Sequence, residues 1–307
     1  MKPMQGDLDN ILILKTGAAG DVVRTTSLLQ YFQHVNVTWL TDESCLSLFD
    51  SGSHKNLNVY PVNNFPPEIL YAEYLLVLSL EEDEYCARLA GKLTARKLTG
   101  VYWNAGFAYT SNAAEWFNMS LISVLGAIVA NELKRNNNRS YQHHLFGMLQ
   151  LSFNEERYTI FQPETNRHPL LIGIEKTAGH RWPNKTWTGY DTVADALAQL
   201  GFLTIFFEKQ NSLLQYMQAI NNCSLLLCGD TLAMHLAIAY HIPVVALFNC
   251  TSPSEIFDYG LLVKLVSPVL SDFFYSTAFD EAAVNAIPPS TVLDAVTAVW
   301  KSNYPMP

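Results

Sequence analysis

Asp230 and Thr231 carry the strongest chemical signal in this chain, because they stand where a buried-strand run gives way to a helix. The run Ser224-Leu225-Leu226-Leu227 leads into Cys228-Gly229-Asp230-Thr231-Leu232-Ala233-Met234-His235-Leu236-Ala237, and Pro243-Val244-Val245-Ala246-Leu247-Phe248 follows. Strand, polar turn, helix, strand is one βαβ unit. Free N–H groups and the dipole at a helix N-terminus favour an anion, so this turn is where an α/β protein would hold a diphosphate. Asp and Thr are also ordinary N-caps. His235 lies one turn beyond Thr231 on the same helix face, within reach of a phosphate oxygen, although a lone helical histidine is more often packed.

A second carboxylate, Asp21, ends a small-residue loop. Ile11-Leu12-Ile13-Leu14 is a parallel-type strand run, Lys15-Thr16-Gly17-Ala18-Ala19-Gly20-Asp21 is the loop, and Val22 to Phe32 reads as a helix. Gly17 and Gly20 permit close backbone approach. The loop has neither G-x-G-x-x-G nor the Gly-Lys-Ser/Thr of a P-loop, so a dinucleotide or mononucleotide reading is weak. Asp21 sits at the C-terminal edge of a first parallel strand, where such sheets place their sites, and its plain alternative is a helix N-cap. Lys15 reads as a solvated loop residue that could orient a substrate together with Thr16.

His180 and Arg181, with Lys176 and Lys185 near them, form the clearest basic cluster, and Trp182 and Trp187 beside them read as core or loop anchors. Glu208 follows a strand run, Phe202 to Phe207. No clear metal constellation stands out in the sequence, and its histidines and cysteines lack zinc-type spacing.

Those residues need a scaffold, and the rest of the chain supplies one. Further strand runs fall at Val35–Leu40, Leu57–Val62, Leu75–Leu80 and, more weakly, Lys97–Val101, with helical patterns between several of them. The second half restarts at Leu170–Ile174 and alternates again through Phe202–Phe207, Leu225, Val244 and Val263–Val266. This alternation argues two doubly wound α/β domains, 1–155 and 156–307, joined by the polar, Pro-containing stretch Phe153 to Pro169. Pro288-Pro289-Ser290-Thr291 starts a terminal helix, with Ser290 as its N-cap. At 307 residues and 49% hydrophobic, the chain can fill two cores. A net charge of −9 with no Lys/Arg run argues against broad nucleic-acid binding. Five cysteines without metal spacing read as reduced thiols of a cytoplasmic protein. The N-terminus does not read as a signal peptide, and the most apolar later segment, Leu121 to Val129, falls below the roughly 20 residues of a membrane span. Membrane contact, if any, is then peripheral, at the inner face of the cytoplasmic membrane.

ILILKTGAAGDVVRTTSLLQYF and GDTLAMHLAIAYHIPVVALFNCTSPSEI resemble the opening and the donor-site signature of glycosyltransferase family nine, the lipopolysaccharide heptosyltransferases. Tyr74–Leu80 with Ala87–Gly91, and His180-Arg181-Trp182-Pro183 with Trp187, resemble two intervening segments in the same order. The resemblance implies a GT-B architecture: two Rossmann-like domains facing a central cleft, an acceptor side in front, a nucleotide-sugar side behind, and a terminal helix packing back on the first domain. It implies an inverting, metal-independent transfer of a sugar, a heptose from ADP-heptose being the family's usual case, onto an acceptor hydroxyl. Asp21 would be the catalytic base, with Lys15, Thr16, Gly17 and Gly20 as its acceptor-side loop. Thr177, His180, Arg181, Lys185, Glu208, Asp230, Thr231, Leu232 and His235 would form the donor site, Glu208 reading the ribose. No resident cofactor is implied, only a nucleotide-sugar co-substrate and a glycan, lipid-linked or small-molecule acceptor. Two positions depart from the family pattern. Leu232 replaces the usual glycine and narrows the approach to the phosphates. His180 replaces a lysine, which makes that charge depend on pH near neutrality. These departures keep two alternatives open: a GT-B scaffold that binds a nucleotide sugar without turnover, and a sugar-nucleotide epimerase.

Overall fold

The computed structural model describes residues 10–49, 54–114, 116, 126–207 and 212–304. The chain divides into two compact α/β units, residues 1–130 with 142–161 and residues 131–141 with 162–307.

The first unit contains β1 (Asn10–Leu14), α1 (Ala19–Thr25), α2 (Leu28–Tyr31), β2 (Asn36–Thr41), β3 (Leu57–Pro61), β4 (Glu73–Ser79), α3 (Glu84–Ala90), β5 (Thr94–Trp103) and β6 (Phe107–Tyr109). Then come α4 (Gly126–Asn136), which crosses from one unit to the other, and α5 (Tyr141–Met148). Its sheet runs β3-β2-β1-β4-β5-β6, parallel except for the β5–β6 pair. Ile11 to Leu14 are at most 1% exposed, because a central parallel strand is covered on both faces and every position must be apolar. Gly100, at φ +115°, allows β5 to lie against β4: a Cβ there would stand 1.8 Å from the Ser79 carbonyl oxygen.

The second unit contains β7 (Leu171–Glu175), α6 (Tyr190–Gln199), β8 (Leu203–Phe206), α7 (Leu213–Asn221), β9 (Leu225–Gly229), α8 (Leu232–Ala239), β10 (Val244–Phe248), β11 (Leu262–Val266), α9 (Glu281–Asn285) and α10 (Pro289–Asn303). Its sheet is wholly parallel in the order β11-β10-β9-β7-β8. Ile174, Leu225, Leu227, Val245 and Leu247 form its core together with Trp187 and Val292, Val296 and Trp300 of α10.

In each sheet the chain reverses its direction of winding once. The reversal falls between β1 and β4 in the first unit and between β7 and β9 in the second. Loops leaving two adjacent strands in opposite directions open a crevice at such a point, and open α/β sheets bind their ligands there.

The terminal helix, α10, contributes to the core of the second unit. Its buried residues Val292, Val296 and Trp300 lie in its own unit's core, and the Trp300 indole donates to the Pro169 carbonyl at 2.8 Å. The i, i+4, i+8 stripe demanded a sheet to cover it, and the nearest in sequence served. Its N-cap is Pro288, with Ser290 already inside the first turn. Lys97–Val101 also proves to be only part of a ten-residue strand, β5.

Candidate functional site

The first unit's reversal point is formed by the loops after β1 and β4. Asp21 is the third residue of α1; its N-cap position is held by Ala18, so Asp21 is not the cap. Arg24 donates to Asp21 Oδ1 from Nε at 3.0 Å and from a terminal nitrogen at 2.7 Å. The carboxylate is 38% exposed. Two charge-assisted hydrogen bonds from one guanidinium thus converge on a single carboxylate oxygen.

Lys15 is not solvated. It is 5% exposed, and its ammonium lies 2.7 Å from Glu81 Oε1, just past β4, and also donates to the Gly17 carbonyl. The same Glu81 oxygen accepts from the Thr16 N–H at 2.7 Å and the Gly17 N–H at 3.1 Å. From the other side the Trp39 indole donates to the Lys15 carbonyl at 3.1 Å, and the Asp42 N–H donates to that of Thr16 at 3.2 Å. Gly17 has open space around its Cα; Gly20 lies in the first turn of α1. Sequence reasoning missed Glu81, whose one visible signal was its place directly after a strand of the central pair.

The second unit's reversal point lies between the segment after β7 and the turn after β9. Gly229 lets them meet: a Cβ there would stand 2.5 Å from the Lys185 carbonyl oxygen. Lys185 then reaches Asp230, 2.8 Å from Oδ2 and 2.8 Å from the main-chain carbonyl. Thr251, beyond β10, donates to the same Asp230 oxygen at 2.8 Å. Both charged side chains are mostly covered, at 18% and 13% exposed, so their attraction is less screened than that of a surface pair.

Thr231 is the N-cap residue of α8, yet its hydroxyl makes no capping bond. Its Oγ1 is buried and has no hydrogen-bond partner. A buried hydroxyl left unpaired costs about 1–3 kcal/mol. Leu232 is the first residue of α8 and is partly exposed, whereas His235, one turn on, is buried.

The remaining candidates separate. Thr177 is turned to its own strand end, its N–H donating to Glu175 Oε1 at 2.8 Å and its hydroxyl at 2.5 Å. Tyr216 donates to the other Glu175 oxygen, and burial pushes its phenol well above the ordinary tyrosine range. His180 and Arg181 are exposed, and the Arg181 guanidinium lies 5.4 Å from the centre of the Trp182 ring. Trp182 packs edge-on against Tyr275 at 5.2 Å, and Tyr275 donates to Glu255 at 3.0 Å. Lys134, on the part of α4 that belongs to this unit, pairs with Glu255 at 3.2 Å. Trp187 is a core anchor, 3% exposed, donating to the Ile287 carbonyl at 2.9 Å. Glu208 lies outside the described residues. Among the described residues no three His, Cys, Asp or Glu side chains converge as a metal site would require.

The two crevices therefore differ in chemistry. In the first, a carboxylate of the protein already occupies the loop's ammonium and two of its N–H groups. In the second, a cation, an unpaired hydroxyl and a helix N-terminus converge on one turn.

A family match falls on the second unit, and solved structures share the fold. Residues 209–270, which hold the β9–α8 turn, match the model of glycosyltransferase family 9 (heptosyltransferase). A family 9 glycosyl transferase from Veillonella parvula is similar in structure at 19% identity, with a TM-score of 0.66 over 97% of this chain and 99% of that one. E. coli ADP-heptose LPS heptosyltransferase II is similar at 15% identity, with a TM-score of 0.64 over 95% and 99%. E. coli heptosyltransferase WaaC, solved with ADP-2-deoxy-2-fluoro heptose, is similar at 14% identity, with a TM-score of 0.57 over 94% and 99%. No curated protein sequence matches the chain. The shared fold is that of GT-B proteins, built from two parallel-sheet α/β units.

Proposed function

Starting from a glycosyltransferase family 9 segment that coincides with the second unit's anion-suited turn, we infer that this chain transfers a sugar from a nucleoside diphosphate donor to an acceptor hydroxyl. The observation that carries the reading is the buried, unpartnered Thr231 hydroxyl at the start of α8, next to an Asp230 that holds Lys185. A turn that brings together an unpaired buried hydroxyl and a lysine suits a ligand with several anionic oxygens.

In this reading the first N–H groups of α8 and Thr231 Oγ1 donate to the diphosphate, and Lys185 neutralises the charge that grows as it leaves. Asp21, in the first unit, accepts the proton of the acceptor hydroxyl. The hydroxyl oxygen attacks the anomeric carbon from the face opposite the diphosphate, the carbon–oxygen bond to the diphosphate breaks, and its electron pair departs with the nucleotide. Attack from the opposite face inverts the anomeric centre. Charge stabilisation by a lysine and main-chain donors fits a transfer that needs no metal. ADP-heptose is the first donor to test, because heptosyltransferases share the fold and a fluoro analogue of that donor sits in one of them. The acceptor class stays broad: glycan, lipid-linked or small molecule. Among the described residues no helix is long and apolar enough to cross a membrane, so a lipid-linked acceptor would be met peripherally.

A panel of nucleoside diphosphates and nucleotide sugars in a thermal-shift assay tests the reading. A ligand at 100 times its dissociation constant stabilises by about 2.7 kcal/mol, which moves a melting temperature by several degrees. An unmoved melting temperature with every nucleotide would count against it. Leu232 favours a second reading, a scaffold that binds the donor without turnover; binding with no transfer from any donor to any acceptor would select it.

A further inference from the structure

We propose that Glu81 is a built-in anion that clamps the β1–α1 loop and so positions Asp21. A loop of small residues at the reversal point of a parallel sheet offers main-chain N–H groups that usually meet a ligand's phosphate. Here they meet a side chain. Glu81 Oε1 takes the Lys15 ammonium and the Thr16 N–H, each at 2.7 Å, and the Gly17 N–H at 3.1 Å. The pair is well covered, the side chains of Lys15 and Glu81 being 7% and 16% exposed. The neighbouring acids do other work: Glu82 accepts from the Tyr109 hydroxyl at 2.7 Å and Asp83 caps α3 through the Cys86 N–H at 2.9 Å.

Two consequences follow. The Lys15 ammonium and the Thr16 and Gly17 N–H groups are taken up by Glu81 rather than offered to a nucleotide phosphate, which favours the second unit's turn as the place for the diphosphate. The loop's far end also becomes fixed in space. Thr16 and Gly17 are held by Glu81, Ala18 accepts from the Asp21 N–H at 2.8 Å, and Asp21 follows without slack. Glu81 does not touch the reacting atoms in this role; it is a positioning residue that acts through the loop. That role rests on the proposed function for Asp21, whereas the clamp itself does not.

Removing the carboxylate leaves a buried ammonium and two N–H groups facing a hole the size of a small carboxylate. The test is therefore Glu81→Ala, with Glu81→Gln as the milder variant, measured with and without about 50 mM formate. Expected for Glu81→Ala is a lowered melting temperature that formate raises and chloride at equal ionic strength does not, with no formate effect on the native chain. In transfer assays kcat is expected to fall tenfold or more with the donor KM within about twofold, and formate to restore part of it. Glu81→Gln keeps an acceptor oxygen but loses the charge, so its kcat falls between the two. If Glu81→Ala fails to fold even in formate, native kcat in Glu81→Gln overturns the proposal and a lowered one at unchanged donor KM supports it. Equal formate effects on native and variant chains, or native stability in Glu81→Ala, also overturn it. If the native chain transfers no sugar at all, the formate shift still reports on the clamp, so the two failures are distinguishable.

Discussion

Lys185 Nζ stands 2.8 Å from Asp230 Oδ2 and 2.8 Å from the Asp230 carbonyl oxygen, so one ammonium joins the segment after β7 to the turn after β9. The joint exists because Gly229 has no side chain to hold the Lys185 backbone away. Asp230 is thus the counter-ion that keeps a lysine in place beside a helix N-terminus, and Thr251 steadies the carboxylate from the far side. Under the proposed function, a cation stored in this way is preorganised for the charge that develops as the donor's bond breaks.

Thr231→Val separates binding from stability by sign. The substitution keeps the side chain's shape and removes a buried hydroxyl that has no partner in the apo protein. The apo melting temperature is expected to stay level or rise, since an unpaired buried hydroxyl costs about 1–3 kcal/mol. Nucleoside diphosphate affinity is expected to fall about tenfold or more, because a hydrogen bond to a charged group is worth about 1.5–3 kcal/mol. A lowered apo melting temperature with unchanged affinity would contradict the assignment.

Asp21→Asn tests the base. The amide can still meet Arg24 through its oxygen but cannot take a proton. General-base catalysis contributes about 10²- to 10⁴-fold, so single-turnover transfer is expected to slow by that range. The donor dissociation constant, measured by titration, is expected to stay within twofold. Retained transfer in the variant would remove Asp21 from the chemistry.

The thiols give a pH prediction with a definite sign. Burial pushes Cys223 and Cys250 up to about 12 from an ordinary 9.0. A group whose folded pKa is raised holds its proton more tightly when folded, so the stabilisation is whole below about pH 9 and is lost as pH rises towards 12. Melting temperatures are expected to fall between pH 9 and 11, and less steeply in Cys250→Ser than in the native chain. All five cysteines are buried, so alkylation at pH 8 is expected only at the rate of unfolding. Fast native-state labelling of Cys223 or Cys250 would contradict this.

Much of the fold was legible because central parallel strands leave no choice of residue. The apolar runs Ile11–Leu14, Leu225–Leu227 and Val244–Phe248 lie within β1, β9 and β10. β5 was half seen because its first residues, Thr94 to Lys97, are largely exposed and carry an arginine and a lysine that look like loop. β6 is three residues long and gives no period to read. The helical stripe of Val292, Val296 and Trp300 announced a buried face but could not say which sheet would cover it. At the candidate site, residues close in sequence could be placed: Asp230 and Thr231 do stand at the start of α8. What stayed hidden was tertiary. Lys15 looked solvated because its partner, Glu81, is 66 residues away in a run of four acids. Nothing local distinguishes the acid that points inward from the three that do not.

The most direct measurement is calorimetric titration of the native chain and Lys185→Met with ADP, UDP and GDP. The native chain is expected to bind one of these nucleotides at a single site, and Lys185→Met to bind it at least tenfold more weakly while its melting temperature still reports a folded protein. Binding of equal strength in both proteins, or no binding of any nucleotide to the native chain, would contradict a diphosphate site at the β9–α8 turn.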